Sequence, residues 1–447
     1  MEFSLNKDFF IRNRKNLFSL LPNNSMAILF PAEQFVRNGD ALYKYRQNSD
    51  LFYFSGLKQE KTVILLCKIN NSTDEYAFII EPNEKMLIWT GHKYSIDEAK
   101  EISGIKNVFY LNEFEKYFKE NLNNDTLVYY SMSSNTRGFD YKNKIISEWK
   151  EGVENDKIQF KDLDSLSMQL RLQKQKEEIA IIQKAIDITG EAFKKVLDFI
   201  VPGVYEYEVE AEISHHFIKN GVESHAYSPI IAAGKNNCVL HYETNRELCK
   251  NGDLLLMDFG AEYNYYDADL SRTIPISGKF TNRQKQVYAS VLKVLKEMKT
   301  KYVPGQTIRK LNKECELLIQ EELVSLGLLS EADIKNQNED SPALKKYYMH
   351  GVSHFIGLDV HDVGVKDTVL LPGMVLSCEP GIYIAEEGFG IRLENDILVA
   401  ENPIDLCSNI PIEISEVCKW EELRIKNEEL LQLKVKSDAL NVVEVLK

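Results

Sequence analysis

Two apolar segments in the second half of the chain each carry a pair of acidic residues. Asp258 ends the run LLLMD, and Asp269 follows eleven positions later. Glu379 closes the run VLSCE, and Glu394 lies within IRLENDI. A carboxylate in an apolar strand is partly buried, and two buried carboxylates facing each other across a hairpin require a cation between them. The pattern therefore predicts a dinuclear metal site, whose oxygen ligands favour Mn, Co or Zn over metals that prefer thiolates.

The spacing leaves two points open at the first pair. Asp258 could instead be held by a nearby arginine or by turn amides, as a buried carboxylate often is. Asp267 lies two positions before Asp269, and both side chains point to the same face of an extended strand. The spacing alone does not choose between these two aspartates.

Three of the eight histidines cluster in the segment MHGVSHFIGLDVHD, at His350, His354 and His361. A zincin HExxH motif is absent, and the glycines in this segment weaken a helical interpretation. One isolated histidine is usually structural, but three beside four buried carboxylates favour metal or substrate binding. His241, in VLHYETN, is a further candidate for substrate binding. A structural role is expected for the remaining histidines, which are His92, His215, His216 and His225.

Short strands alternate with helices over residues 1–169, which predicts an α/β domain. Predicted strands include Ser25–Phe30 and Thr62–Cys67. A long amphipathic helix is then expected over Lys176–Ile200, because apolar residues recur at helical spacing. The sequence Val-Pro-Gly at 201–203 ends it. We place the domain boundary just before this helix, giving domains 1–169 and 170–447.

The second domain contains two β-rich blocks, Asp253–Ile276 and Gly373–Ala400, each with turn residues in its middle. Helices are expected between them, around Asn282–Val303 and Ile308–Leu328. This order predicts two α/β halves that each contribute one hairpin to the site.

The bulk composition narrows the class of protein. The net charge of −14 argues against nucleic-acid binding. Seven scattered cysteines without a CxxC pair fit a reducing compartment. The N-terminus lacks the apolar core of a signal peptide, and no apolar run is long enough to span a bilayer. We therefore expect a cytoplasmic globular protein with no membrane or nucleic-acid partner.

Several motifs together resemble the aminopeptidase P family, the Xaa-Pro aminopeptidases of the pita-bread metallopeptidase superfamily. The resemblance is carried by VLHYETN, MDFGAEYNYYDADLSRT, HGVSHFIGLDVHDVG, LSCEPGIYI and GIRLENDILV, and near the N-terminus by YRQNSDLFYFSG and LIWTGHKY. It covers nearly the whole chain. It implies an N-terminal α/β domain followed by a pseudo-symmetric α+β pita-bread catalytic domain.

The resemblance also implies roles for individual residues. It selects Asp269 over Asp267, because the family's ligand precedes the stretch Leu-Ser-Arg-Thr. Two departures from the family pattern, Asn395 and Ser271, are not ligand positions. The implied metal ligands are Asp258, Asp269, His354, Glu379 and Glu394. The implied catalytic residues are Glu379, His361, His241, Arg392 and Tyr383, and we assign substrate binding to His241, His350 and His361.

By resemblance the chain is expected to hydrolyse the bond between an N-terminal residue and a following proline. It would use two divalent ions per chain, Mn(II) first and Co(II) or Zn(II) as alternatives. A prolidase, a methionine aminopeptidase and a catalytically inactive peptide-binding module stay open as alternatives. The large N-terminal domain disfavours the methionine aminopeptidase, and the retained ligands disfavour the inactive module. The family also implies a homo-oligomer, a dimer or tetramer, in which Asp40 or Trp89 walls a neighbour's cleft.

Overall fold

The structure, a computed structural model, describes residues 5–122, 125–133, 140–151, 158–338 and 342–418. The chain forms two compact units, Met1–Arg171 and Leu172–Lys447. Residues 419–447 of the predicted second domain lie outside the described residues. We retain 1–169 and 170–447 as the proposed domain limits.

The first unit is an α/β domain that contains a mixed β-sheet and several helices. Its helices are α1 (Lys7–Leu20), α2 (Ser49–Ser55), α3 (Glu84–Thr90), α4 (Ile96–Ser103), α5 (Phe114–Glu120), α6 (Asp140–Glu151) and α7 (Asp164–Leu172). Its strands are β1 (Ser25–Leu29), β2 (Val36–Asn38), β3 (Ala41–Leu42), β4 (Val63–Ile69), β5 (Ser72–Ile79), β6 (Asn107–Tyr110), β7 (Thr126–Tyr130) and β8 (Ile158–Asp162). Six of these strands form one sheet in the order β6-β5-β4-β1-β7-β8. The central strands β1 and β4 are apolar because residues on both faces of the sheet are buried there.

The second unit contains the predicted long helix and several small sheets. Its helices are α8 (Lys176–Phe199), α9 (Glu206–Lys219), α10 (Asn282–Met298), α11 (Ile308–Ser325), α12 (Glu331–Lys335) and α13 (Ile414–Val417). Its strands are β9 (Ser224–His225), β10 (Ile230–Ala233), β11 (Leu254–Asp258), β12 (Ala261–Tyr263), β13 (Tyr266–Asp267), β14 (Ser271–Pro275), β15 (Val375–Cys378), β16 (Gly381–Ile384), β17 (Phe389–Arg392), β18 (Asn395–Leu398) and β19 (Ile404–Asp405). The predicted helices are confirmed, each ending slightly earlier than expected.

The prediction of two simple hairpins is wrong in its pairing. β11 does pair with β14, but the chain between them leaves this sheet. Its strands β12 and β13 form a separate three-stranded sheet with β9, in the order β13-β12-β9. β15 pairs with β18, and β16 and β17 form a separate two-stranded sheet between them. Asp258 consequently faces Ser271 across the ladder and does not face Asp269.

Candidate metal centre and cleft

A cleft in the second unit encloses about 490 Å³ and collects most of the residues that the sequence analysis selected. The selected residues that line it are His241, Asp258, Asp269, His350, His354, His361, Glu379, Arg392 and Glu394. Tyr383 does not line the cleft, but its hydroxyl forms hydrogen bonds with two lining residues, His350 and Arg392. The cleft therefore brings together most of the residues that the sequence analysis assigned to metal binding and catalysis.

The four carboxylates converge because each lies where a strand ends. Asp258 is the last residue of β11, and Asp269 lies two residues before β14. Glu379 directly follows β15, and Glu394 occupies the break between β17 and β18. Only Asp258 is part of a strand, at its last position, and the other three carboxylates lie just outside the strands. Where the ladder stops, the backbone is free to turn, and side chains from separate sheets can reach one centre.

A backbone hydrogen bond ties the two halves of the site together. The amide of Glu394 donates to the carbonyl of Ser271, at 3.1 Å. The Ser271 hydroxyl donates to Glu394 Oε2 at 2.8 Å. The amide of Asp269 donates to Asp396 Oδ2 at 3.1 Å. These bonds fix the second acidic segment against the first.

Asp269, His354 and Glu394 form a group whose side-chain atoms could hold one metal ion. One oxygen or nitrogen from each lies within 4.8 Å of the other two. His354 Nε2 is 3.3 Å from Asp269 Oδ2 and 3.7 Å from Glu379 Oε1. The Nδ1 of His354 faces the carbonyl of Phe355 at 3.1 Å, which orients Nε2 toward the carboxylates. An imidazole and carboxylates are donors that divalent metal ions accept, and a carbonyl that holds the other ring nitrogen is a usual contact of a histidine ligand.

The charges of this group fit a cation. Burial raises the pKa of Glu379 to about 7, and burial with the charges of Asp269 and Glu379 raises the pKa of Glu394 well above its ordinary value. Burial also disfavours a charged His354, but the hydrogen bond to Asp269 and the nearby carboxylates outweigh it and raise the His354 pKa to about 9. Without a cation, the cluster therefore keeps protons that reduce its negative charge. A divalent ion would supply positive charge in place of those protons.

Asp258 has a cationic partner, as the sequence analysis allowed. Arg392 Nη2 lies 2.6 Å from Asp258 Oδ2. Arg392 Nε donates to the Ser271 hydroxyl at 2.8 Å, and Nη1 donates to the Tyr383 hydroxyl at 3.0 Å. Arg392 therefore orients an acidic residue and a tyrosine of the site together.

Tyr383 continues this network to His350. The Nδ1 of His350 is 2.7 Å from the Gly351 carbonyl, so it carries the proton. The Nε2 is then an acceptor for the Tyr383 hydroxyl, at 2.8 Å. Burial, and then the charge of Arg392, lowers the pKa of His350 to about 3. His350 is a neutral hydrogen-bonding residue at the wall of the cleft.

Tyr227 is a site residue that the sequence analysis missed. Its hydroxyl is within hydrogen-bond distance of both Asp258 Oδ1 and Asp269 Oδ1, and it lines the cleft. A single hydroxyl proton can satisfy only one of these oxygens. Tyr227 lies in the polar segment HAYSP, where no periodicity or charge pattern marks it.

His361 lies in the cleft, whereas Asp267 and the four histidines expected to be structural lie elsewhere. His361 lines the cleft, and its ring packs edge-on against that of His354 with centroids 4.3 Å apart. Asp267 is buried in β13 opposite Glu262 and does not line the cleft. The four histidines expected to be structural, His92, His215, His216 and His225, are likewise absent from the cleft lining.

Comparisons with known proteins agree with this architecture. The model of metallopeptidase family M24 matches residues 180–401, and that of the aminopeptidase P N-terminal domain matches residues 10–129. The chain is 33% identical over 439 residues to an Xaa-Pro aminopeptidase of Escherichia coli, covering 94% of this chain and 97% of the relative. A Haemophilus influenzae Xaa-Pro aminopeptidase is 32% identical over 428 residues, covering 92% and 97%.

Solved structures give the same result. Aminopeptidase P from E. coli with the inhibitor Pro-Leu matches with a TM-score of 0.87 and 32% identity, covering 95% of this chain and 100% of that chain. A zinc-substituted form of the E. coli protein with product matches with a TM-score of 0.86 and 32% identity, covering 93% and 98%. The predicted fold, an N-terminal α/β domain before a pita-bread domain, is confirmed.

Proposed function

The chain belongs to the aminopeptidase P family of M24 metallopeptidases and is a metal-dependent Xaa-Pro aminopeptidase, and on this premise we propose which of its residues perform each part of the reaction. The observation that carries the proposal is the convergence of His354 and the four strand-end carboxylates in one cleft.

Two divalent ions per chain would be held by Asp258, Asp269, His354, Glu379 and Glu394. We propose Mn(II) first, with Co(II) or Zn(II) as alternatives, because four carboxylates and one imidazole suit borderline and hard ions. When bound, such ions supply Lewis acidity, which polarises a carbonyl and makes water nucleophilic near neutral pH.

Glu379 is the proposed proton carrier. The leaving nitrogen of any amide must gain a proton, and the proline nitrogen, which has no hydrogen while it is part of the tertiary amide, leaves as a secondary amine. Glu379 lines the cleft, and its Oε1 lies 3.7 Å from His354 Nε2, so a carboxylate is available where the proposed ions would hold the attacking water. It would take a proton from the attacking water and deliver it to the proline nitrogen.

The histidines and Arg392 are proposed to orient the substrate. His241 and His361 line the cleft and can donate to the oxyanion that develops at the carbonyl before proline. His350, held neutral and fixed by Tyr383, would contact the substrate by hydrogen bonding and packing. Arg392 and Tyr383 act by holding these groups and Asp258 in place.

The second copy of the chain is a proposed partner. Helix α3 has no buried residue, and Ile88 and Trp89 are 81% and 78% exposed. Asp40 is also exposed, in the turn between β2 and β3. Large exposed apolar side chains mark interaction surfaces. We propose a dimer or tetramer in which this surface, with Asp40 or Trp89, walls a neighbour's cleft.

We place the enzyme in the cytoplasm. All seven cysteines are free, and Cys67, Cys249, Cys315, Cys378 and Cys407 are buried. Free thiols in this number suit a reducing compartment. In the described part of the chain, no helix is both long and apolar enough to cross a membrane.

A peptide panel tests the function. The enzyme, dialysed separately against Mn, Co or Zn, is given matched Xaa-Pro-Xaa, Xaa-Ala-Xaa and Xaa-Pro peptides. We expect release of the first residue from Xaa-Pro-Xaa, with Xaa-Ala-Xaa uncut. Faster cleavage of the dipeptide than of the tripeptide would favour the prolidase alternative. No cleavage with any metal would favour the inactive peptide-binding module.

A further inference from the structure

A buried ion pair lies beside the cleft and has no part in the chemistry described above. Lys174 Nζ is 2.9 Å from Asp362 Oδ2, and only 1% of each side chain is exposed. Removing two charges from water is costly, and a hydrophobic pair of similar volume is often as stable. The pair therefore needs an explanation other than stability.

Asp362 closes the loop that carries two histidines of the site. We call residues 354–362 the histidine loop, since it begins with His354 and its penultimate residue is His361. The amide of Asp362 donates to the carbonyl of Phe355 at 2.9 Å, which joins the two ends of the loop. The position of Asp362 therefore determines the direction in which the side chain of the adjacent His361 points.

The ion pair is packed directly against the loop backbone at Gly357. A Cβ atom built on Gly357 would lie 2.1 Å from Asp362 Oδ2 and 2.9 Å from Lys174 Cε. Only glycine permits this approach. The Gly357 carbonyl also accepts from the amide of Asp267, at 2.9 Å. The middle of the loop is thus held between the ion pair and β13.

Lys174 is itself fixed to regular structure. Its amide donates to the Gly373 carbonyl at 2.9 Å, just before β15. Two residues later α8 begins, where Glu178 accepts from the amide of Gln175 at 2.8 Å and from the Tyr266 hydroxyl at 2.9 Å. The backbone of Lys174 is therefore fixed in position, and its ammonium group can hold Asp362 in one place.

We infer that Lys174 and Asp362 are a positioning pair for the peptidase reaction, which fixes the histidine loop so that His361 stays against His354 in the cleft. The inference rests on the proposed function. A directional bond between an ammonium and a carboxylate fixes the orientation of the loop, whereas apolar side chains of similar size would only fill the space. A displacement of about 1 Å at a catalytic group can lower the rate on the order of a hundred-fold.

The test compares turnover with stability in four full-length variants. Lys174→Met and Asp362→Leu each leave one buried charge unpaired, and both should lower the thermal midpoint. The double variant Lys174→Met/Asp362→Leu removes both charges and should recover most of the midpoint. Its kcat on Xaa-Pro-Xaa should nevertheless stay roughly ten- to a hundred-fold below wild type, with KM and bound metal little changed. Asp362→Asn, which can still accept from Lys174, should keep a kcat well above that of Asp362→Leu.

Two outcomes overturn the inference. One is a double variant that regains both its midpoint and its kcat, which makes the pair purely structural. The other is equal kcat in Asp362→Asn and Asp362→Leu, measured well below both midpoints, which decides the matter even if the double variant stays unstable. Arg283→Met, which breaks the surface pair with Glu387, is the control and should leave kcat unchanged. A wild-type enzyme that cleaves no Xaa-Pro-Xaa peptide would instead count against the proposed function.

Discussion

The Nη2 atom of Arg392 lies 2.6 Å from Oδ2 of Asp258, and 4% and 14% of their side chains are exposed. Arg392 ends β17 and Asp258 ends β11, so the ion pair joins two separate sheets at the cleft. One guanidinium thus holds Asp258 and, through its other nitrogens, Ser271 and Tyr383. A lysine at this position has no planar fork to hold all three.

Arg392→Lys should therefore lower kcat/KM by roughly a hundred-fold and weaken metal binding by about ten- to a hundred-fold, the usual effect of losing a residue that orients a ligand. Kinetics with excess metal and a metal titration of the chelated protein measure the two effects. The matched control is Arg283→Lys at the surface pair with Glu387, which should change neither. Unchanged metal affinity in Arg392→Lys would contradict a role in orienting Asp258.

Asp269→Asn or Glu394→Gln should abolish activity and remove at least one metal ion per chain, because each is proposed to be a direct ligand. Metal content after gel filtration and peptide hydrolysis measure this. Asp267→Asn is the control and should affect neither, since Asp267 lies in β13 outside the cleft lining. An inactive Asp267→Asn beside an active Asp269→Asn would reverse our choice between them.

His361→Ala should lower kcat by roughly two to four powers of ten while the metal stays bound, because it removes a donor to the developing oxyanion. Steady-state kinetics and metal analysis on the same preparation separate the two effects. The control is His225→Ala, at a half-buried histidine outside the cleft, which should change stability more than kcat. Loss of metal from His361→Ala would mean that His361 and His354 have exchanged roles.

The sequence predicted the family, the enzyme class and the fold, and the comparisons confirm all three. The assignments of individual site residues remain predictions. The elements were found because apolar periodicity is a local property. The pairing was not, because nothing local shows that the chain leaves the sheet after β11, or that Glu394 lies in a break between strands.

The missed residues share a physical reason. Tyr227 and Lys174 are important only through contacts with residues far away in sequence, Asp258 and Asp362. Lys174 lies in the charged stretch QKQKEE, which is typical of a solvated surface. Only the tertiary structure shows that it is buried.

Glu178 makes stability depend on pH. Burial raises its pKa to about 7 in the folded chain, against an ordinary value of 4.5. Between these values the folded state holds a proton that the unfolded state has released, so this group lowers the free energy of unfolding as pH rises. Glutamine is neutral at every pH, so Glu178→Gln should abolish this decrease in the free energy of unfolding, which amounts to up to about 3 kcal/mol. Unfolding midpoints of metal-free protein at pH 5 and pH 8 measure it.

The unfolding midpoint of Glu178→Gln, compared with that of wild type, should be more favourable at pH 8 than at pH 5. Glu177→Gln, one position earlier on α8, is the control and should show no such difference. Equal differences from wild type at the two pH values would contradict the raised pKa of Glu178.

Sharing of the cleft between subunits makes a prediction about mixed oligomers. Light scattering should first show an assembly larger than a monomer, because Ile88 and Trp89 would be covered by a second copy. If Asp40 completes a neighbour's cleft, Asp40→Ala and Glu379→Gln should each be inactive alone. After dissociation and reassembly together, a random symmetric dimer has about a quarter of its sites with both residues intact, and activity should return to about that level. Glu379→Gln mixed with His361→Ala is the control. Each of these changes disables the cleft of the chain that carries it, so the two chains cannot complement each other. A fully active monomer would overturn the proposal that the cleft is shared, whereas an active Asp40→Ala would exclude Asp40 and leave Trp89 as the residue to test.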